Sequence, residues 1–230
     1  MNTGLAIVGH GKMGLLIEQL APSYGFDVRA KFNTENITDL SRAALHGATV
    51  AIEFTAPHAA PDNLLRLASL GISTVCGTTG WLAKLPEVRE AVNASGTGLV
   101  WSTNFSVGVN LFLKTVAAAA TAFAKHPDYE AWGWEIHHSA KKDAPSGTLN
   151  VLESEIRNSG YSRTLTLASN RAGAHPGTHE VGFDSAADTI TLRHTARNRD
   201  GFARGALRAA QWVAGQPGVH EFRDILDDLH

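Results

Sequence analysis

The chain has one cysteine, Cys76, among 230 residues, which excludes an internal disulfide and suits a reducing compartment. Neither sign of charge is in excess: 20 Lys and Arg stand against 22 Asp and Glu, a formal net charge of -2. The bulk basic character of a nucleic-acid binder is therefore missing. No uncharged apolar run approaches the ~18 residues that suggest a bilayer span. The start MNTGLAIVGHG also lacks the basic segment and long apolar core of a secretion signal. The expectation is a cytoplasmic protein with no membrane or nucleic-acid partner. Cys76 sits in GISTVCGTTG, at the end of an apolar run, and reads as a small buried side chain rather than a reactive thiol.

What is present is a composition able to build a core, with 43% hydrophobic residues. Its order along the chain is informative. Short apolar runs at 4–8, 26–32, 48–54, 72–76 and 98–101 read as buried strands. Segments with helical spacing lie between them, at 12–21, 37–46, 58–70 and 82–94. Strands alternating with helices imply right-handed crossovers and a parallel sheet. The texture changes after NFSVGVN at 104–110. An Ala-rich helix is predicted over 111–126 and another over 146–158. Alternating runs at 163–169, 179–184 and 188–195 read as strands of a mixed sheet. Two closing helices are predicted at 203–214 and 220–229. The class is α/β: an N-terminal parallel-sheet domain with a second α+β mixed-sheet domain.

The first run leads straight into VGHGKMG, which places Gly9, Gly11 and Gly14 in a GxGxxG between a strand and a helix. A dinucleotide needs this arrangement: a tight turn, backbone N–H groups close to the pyrophosphate, and a helix packed tightly on its strand. At the end of the second strand, RAKFN offers Lys31 and Asn33. The acid that would bind both ribose hydroxyls of NAD is missing there, so NADH and NADPH both stay open. EFTAPH and CGTTG put Thr55 and Gly77, Thr78 and Thr79 at carboxyl ends of strands, the ligand edge of an open sheet.

The stretch EIHHSAKKDAPSGT, 135–148, concentrates proton chemistry. His137 and His138 are successive, so on an extended strand they face opposite ways and only one can face a cleft. Lys141 and Lys142 follow at four and five residues, and a short loop can bring one ammonium back to the imidazole's side to deliver a proton. Asp143 and Ser146 are both candidate caps for the helix that follows, and the backbone N–H groups of Gly147 and Thr148 at its start suit a carboxylate. A zinc site is not expected: no cysteine is adjacent, no His-x3-His spacing occurs locally, and two lysines would repel a dication. His175, His179 and His194 read as sheet or loop histidines, one of which can help to hold an anion if it faces the cleft.

VGHGKMG, IEFTAP, GTTG, NFSVGVN, EIHHSAKKDAPSGT, RAGAHPGTHEVGF and FARGALRAAQWVAGQPGVHEFRDIL follow one another in an order that resembles the dihydrodipicolinate reductase family over essentially the whole chain. The resemblance implies NADH or NADPH as cofactor, a small cyclic dicarboxylate as substrate and a homotetramer. It implies a Rossmann domain of 1–106 plus 203–230 and a substrate-binding and oligomerisation domain of 107–202. By position, His137 matches the family's active-site histidine and Lys141 its proton donor, while His138, Gly147 and Thr148 match residues that hold substrate. Gly9, His10, Gly11, Lys12 and Met13, then Gly77 to Thr79, then Ser102, Thr103, Asn104 and Phe105 match cofactor segments. The chain departs from the family pattern in its shorter glycine loop, in Trp132 where a second acid is usual, in Leu149 for alanine and in Ser139 for a bulky basic residue. The rival readings are another nicotinamide-dependent dehydrogenase of an amino or keto acid, and a non-catalytic cofactor-sensing protein.

Overall fold

The computed structural model describes residues 2–229 and divides into two units, the residues up to Val107 with those from Asp200 onward, and Gly108–Arg199. The first unit is built on β1 (Thr3–Val8), β2 (Phe26–Phe32), β3 (Val50–Glu53), β4 (Ser73–Cys76) and β5 (Gly98–Trp101), with α1 (Lys12–Leu20), α2 (Ala60–Ser69) and α3 (Leu85–Ser95) between strands. After the second unit the chain returns through α6 (Asp200–Val213) and β10 (Gly218–Glu221). The six strands are all parallel, in the order β10-β5-β4-β3-β1-β2. The order reverses at β1, which lies between β2 and β3, so the crevice for a ligand opens where β1 and β3 end.

Both faces of this sheet are apolar, as a covered parallel sheet requires. Leu5 and Ile7 of β1 join Ile17 of α1 and Ala206, Leu207 and Ala210 of α6 in one core. Ala6 and Val8, pointing the other way, pack with Leu40, Leu45, Leu67 and Ile72. The backbone of α6 approaches very closely: a Cβ added to Gly205 would lie 1.7 Å from the carbonyl oxygen of Phe105.

The second unit holds α4 (Val107–Phe123, its first residue shared with the other unit), β6 (Glu130–His137), α5 (Gly147–Asn158), β7 (Leu165–Arg171), β8 (Thr178–Asp184) and β9 (Thr189–Thr195). Its sheet runs β7-β6-β8-β9, with β6 parallel to β7 and antiparallel to β8, and β8 antiparallel to β9. Phe112, Val116 and Ala120 of α4 and Leu149, Leu152 and Ile156 of α5 bury their three- and four-residue repeats against Ala131, Val181 and Phe183 of the sheet. Leu149, which stands where the family usually has alanine, is a fully buried member of this core.

Two predicted helices do not form. Between 37 and 46 there is only a short 3-10 turn, Ile37–Asp39. Asn36 accepts from the backbone N–H of Asn33 and donates to the Lys31 carbonyl, Leu40 is extended (ψ 103), and His46 and Gly47 turn left-handed, so the chain closes as a loop anchored by buried Leu40 and Leu45. At the C-terminus, 220–229 begins as β10, paired along the edge of β5, and continues as a 3-10 turn, Phe222–Asp228. The open β5 edge takes up Gly218–Glu221 in preference to helix.

Candidate active site

In the first unit the glycine loop ends β1 at the switch point. The N–H groups of Gly9 and His10 both donate to the Phe32 carbonyl of β2, at 2.8 and 3.1 Å. Gly9 has φ 97°, and a Cβ there would lie 2.0 Å from the Phe54 carbonyl, so only glycine lets the loop pass this close to the end of β3. Gly11 caps α1 without a side-chain bond, which leaves the first N–H groups of the helix to a ligand. Beside it is a cavity of about 320 Å³ lined by Gly11, Lys12 and Met13, by Phe54, Thr55 and Pro57 after β3, and by Gly77, Thr78 and Thr79 after β4. Its volume and its cradle of helix N-terminus, glycine and threonine fit part of a nicotinamide dinucleotide.

Thr55 and Thr78 are held from beneath. The Thr55 N–H donates to Thr78 Oγ1 at 2.7 Å and to Glu53 Oε1 at 3.2 Å, and the Thr55 hydroxyl donates to the same carboxylate. Glu53 is fully buried and also accepts from the Cys76 thiol, at 3.1 Å. Burial, then the Glu53 charge, push the Cys76 thiol well above its usual range, so it is inert and serves as a hydrogen-bond donor.

The other predicted cofactor residues serve mainly the loops themselves. His10 Nε2 lies 2.6 Å from Glu18, whose other oxygen accepts from Lys31 Nζ at 2.9 Å. Lys31, and then His10, hold the Glu18 carboxyl below its ordinary range. Asn33 Oδ1 accepts from the Glu35 N–H. Ser102 Oγ bonds both the N–H and the carbonyl of Asn104, Thr103 is exposed, and Phe105 is a core residue packed on Phe54 and Phe222.

In the second unit, strand register assembles the site. Glu135 and His137 are two apart on β6 and share a face. Glu135 is paired with Ser169 on β7 and His179 on β8, and His137 with Arg171 on β7. The Glu135 carboxylate is fully buried. Its Oε1 accepts from the Ser146 N–H (2.9 Å), Ser169 Oγ (2.9 Å) and Arg171 Nη2 (3.0 Å). Its Oε2 accepts from the Ser146 hydroxyl and faces Nε2 of His137 at 3.3 Å and of His179 at 3.2 Å. Ser146, rather than Asp143, is the cap of α5: its Oγ accepts from the Leu149 N–H. Gly147 and Thr148 follow as the first two residues of the helix, where N–H groups have no intrahelical acceptor.

His137 has joined this cluster, while His138 continues into the loop, where its carbonyl accepts from the Lys141 N–H. Lys141 Nζ is bound by both oxygens of Asp143 at 2.7 and 2.8 Å, so its first partner is this carboxylate rather than an imidazole. Ser139 closes the loop on the Gly173 carbonyl.

Local spacing did not foresee the grouping of Glu135, His137 and His179, whose potential ligand atoms all lie within 4.8 Å of one another. The carboxylate at its centre is already bound by Arg171 and faced by both rings. Glu135 was legible as the residue two before His137; Ser169, Arg171 and His179 depend on register.

Burial would raise the Glu135 carboxyl, but hydrogen bonds from the Ser146 side chain and backbone, then Arg171 and Ser169, bring it to about 2. Burial, then the neighbouring His137, lower His179 from 6.5 to about 4, against the opposing pull of Glu135. Between pH 6.5 and 4 the unfolded chain therefore binds the His179 proton more readily than the folded one, and stability falls as pH drops through that window. The shift corresponds to about 3 kcal/mol. Melting temperatures measured across this range should decline with acid, and His179→Gln should flatten the decline; an equal slope in the variant would exclude His179 as its source.

Residues 3–105 match the family described as dihydrodipicolinate reductase, N-terminus, and residues 108–226 the one described as dihydrodipicolinate reductase, C-terminus. The chain is 32% identical to the 4-hydroxy-tetrahydrodipicolinate reductase of Christiangramia forsetii, over 98% of each chain. It is 36% identical to that of Thiobacillus denitrificans, over 88% of this chain and 83% of the relative. Among solved structures, a dipicolinate-bound dihydrodipicolinate reductase from Paenisporosarcina sp. TG-14 superposes with a TM-score of 0.85 at 21% identity, covering 98% of this chain and 100% of that one. An amine dehydrogenase from Mycobacterium smegmatis shares the fold at a TM-score of 0.67 and 11% identity.

Proposed function

Since this chain belongs to the dihydrodipicolinate reductase family, we propose that it is an NAD(P)H-dependent oxidoreductase that reduces 4-hydroxy-tetrahydrodipicolinate to tetrahydrodipicolinate in lysine and diaminopimelate biosynthesis. The observation that carries this reading is the folding of EIHHSAKKDAPSGT. One segment supplies an imidazole in a buried cluster, an ammonium held by Asp143 and an uncovered helix N-terminus.

When bound, the dinucleotide supplies a hydride. The α1 N-terminus and the Gly9 turn would receive its pyrophosphate, and Gly77, Thr78, Thr79 and Thr55 line the cavity beside that turn. The Gly147 N–H and the Thr148 N–H and hydroxyl, with His138, hold a substrate carboxylate at the positive end of α5. Loss of the ring hydroxyl as water leaves an unsaturated ring; hydride addition to it makes an electron-rich centre, and Lys141 delivers the proton that completes the reduction while His137 orients or relays. Glu18 already pairs with Lys31, so a 2'-phosphate would have to compete for that ammonium.

A homotetramer in the cytoplasm completes the proposal. The outer face of the second sheet, with Trp132 and Trp134 half-buried and β9 largely exposed, supports assembly. No helix among the described residues is long and apolar enough to cross a membrane.

Absorbance loss at the reduced-nicotinamide band, followed with NADH and NADPH in turn while the preceding enzyme generates the substrate, is the direct test. Turnover is expected with at least one nucleotide. Binding without turnover would instead favour a cofactor sensor, and turnover only on another amino or keto acid would favour a different dehydrogenase.

A further inference from the structure

Four elements of the second unit meet at one side chain that substrate does not need to touch. We infer that Glu135 is the positioning residue of the reductase site: its carboxylate sets the ring tautomers of His137 and His179 and locks the α5 N-terminus where Gly147 and Thr148 present their N–H groups. The inference rests on the reductase reading above and adds to it a residue with a distinct task.

A carboxylate with no exposure must have its lone pairs matched by donors. On Oε1 those donors are the Ser146 N–H, the Ser169 hydroxyl and Arg171. Two of them fix geometry elsewhere. Ser146 is the cap of α5, so its two bonds to Glu135 hold the start of that helix. Arg171 Nη2 also donates to the Asp143 carbonyl, tying down the loop that carries Lys141.

On Oε2 the constraint is chemical. Nε2 of His137 and Nε2 of His179 lie 3.3 and 3.2 Å from the same oxygen and 3.4 Å from each other. Glu135 stays ionised because its carboxyl titrates near 2, so this oxygen only accepts. Each imidazole satisfies it by carrying hydrogen on Nε2, and burial keeps both rings neutral. The lone pair, and with it any proton His137 relays, is then at Nδ1. The 3.4 Å approach of the two Nε2 atoms is then that of two N–H groups drawn to one oxygen; without the carboxylate one ring would switch tautomer so that the pair could bond one another.

Nitrogen-15 chemical shifts of ring-labelled histidines in the full-length wild-type protein read the tautomer without any substitution. Nε2–H forms of His137 and His179 are expected; an Nδ1–H form at His137 overturns the inference. In Glu135→Gln, which keeps the size of the side chain, kcat should fall about 10- to 100-fold and the substrate KM should rise, with the NAD(P)H KM unchanged.

The pH profile separates positioning from a merely structural role. The groups facing His137 are Glu135 on its own strand, Arg171 on β7, His179 on β8 and Lys141 on the following loop; of these Glu135 alone raises its pKa by charge, while Lys141 and Arg171 lower it. Removing the Glu135 charge should move the acidic limb of kcat/KM to lower pH, and Glu135→Asp should restore it. Glu135→Gln with an unmoved limb and unchanged substrate KM would overturn the assignment. A wild-type protein that binds dipicolinate by calorimetry but reduces nothing would overturn the reductase reading while leaving the tautomer result intact.

Discussion

Lys141→Ala should lower kcat by ~100-fold or more, the span that loss of a general acid produces and about 2.7 kcal/mol of barrier. The proposed role is carried over from the family resemblance at this position. The Nε2 of His137 is turned into the Glu135 cluster, and His179 lies deeper still. Lys141 is partly exposed and held by both oxygens of Asp143. That pairing holds the ammonium in place until substrate arrives, and the ammonium lowers the Asp143 carboxyl in return. Lys141→Arg should be impaired almost as severely, since a guanidinium keeps the charge but does not release its proton near neutral pH. Steady-state rates at saturating substrate decide the matter. A wild-type kcat in Lys141→Ala would remove Lys141 from the proton-donor role.

The second large effect lies far from the chemistry. Gly205→Ala should destabilise the protein by about 3 kcal/mol or more, because overpacking on this scale cannot be absorbed by a rotamer change. The added methyl would meet the Phe105 carbonyl oxygen at 1.7 Å, and backbone cannot rotate aside as a side chain would. On its buried face α6 carries Ala203, Ala206, Ala209 and Ala210 beside Gly205, a small-residue surface that lets the helix lie close on the sheet. Pushed outward, it would loosen its packing against Leu5, Ile7 and Phe222 together. For a chain of this length the melting temperature should drop by about 10 °C. A melt by circular dichroism within 2 °C of the parent would mean that the helix yields easily at this point.

Much of this molecule could be read from its residues in order. Gly9 and Gly11 directly follow an apolar run, and such glycines have one common use at the head of a parallel sheet. Pro145-Ser146-Gly147-Thr148 announced a helix start because cap chemistry is local. The unread parts are those decided by partners distant in sequence. Nothing near His179 or Arg171 says that β8 and β7 bring them to Glu135, since a slip of one residue in either pairing would turn them to the other face. Nor does anything near Lys31 in sequence say that Glu18 of α1 holds its ammonium. The predicted helix at 37–46 failed because buried Leu40 and Leu45 are anchored by tertiary packing while Asn33 and Asn36 bind the loop to itself. At the C-terminus, β10 exists only because β5 offers an edge.

The late arrival of α6 and β10 has a consequence during synthesis. The strands β1 to β5 leave the ribosome first, yet the face that α6 covers and the β5 edge that β10 closes wait until the whole second unit, Gly108–Arg199, has been translated. At ordinary elongation speeds that interval is on the order of ten seconds. For that time the nascent chain carries uncovered apolar side chains and an unpaired strand border, the kind of surface on which chaperones act.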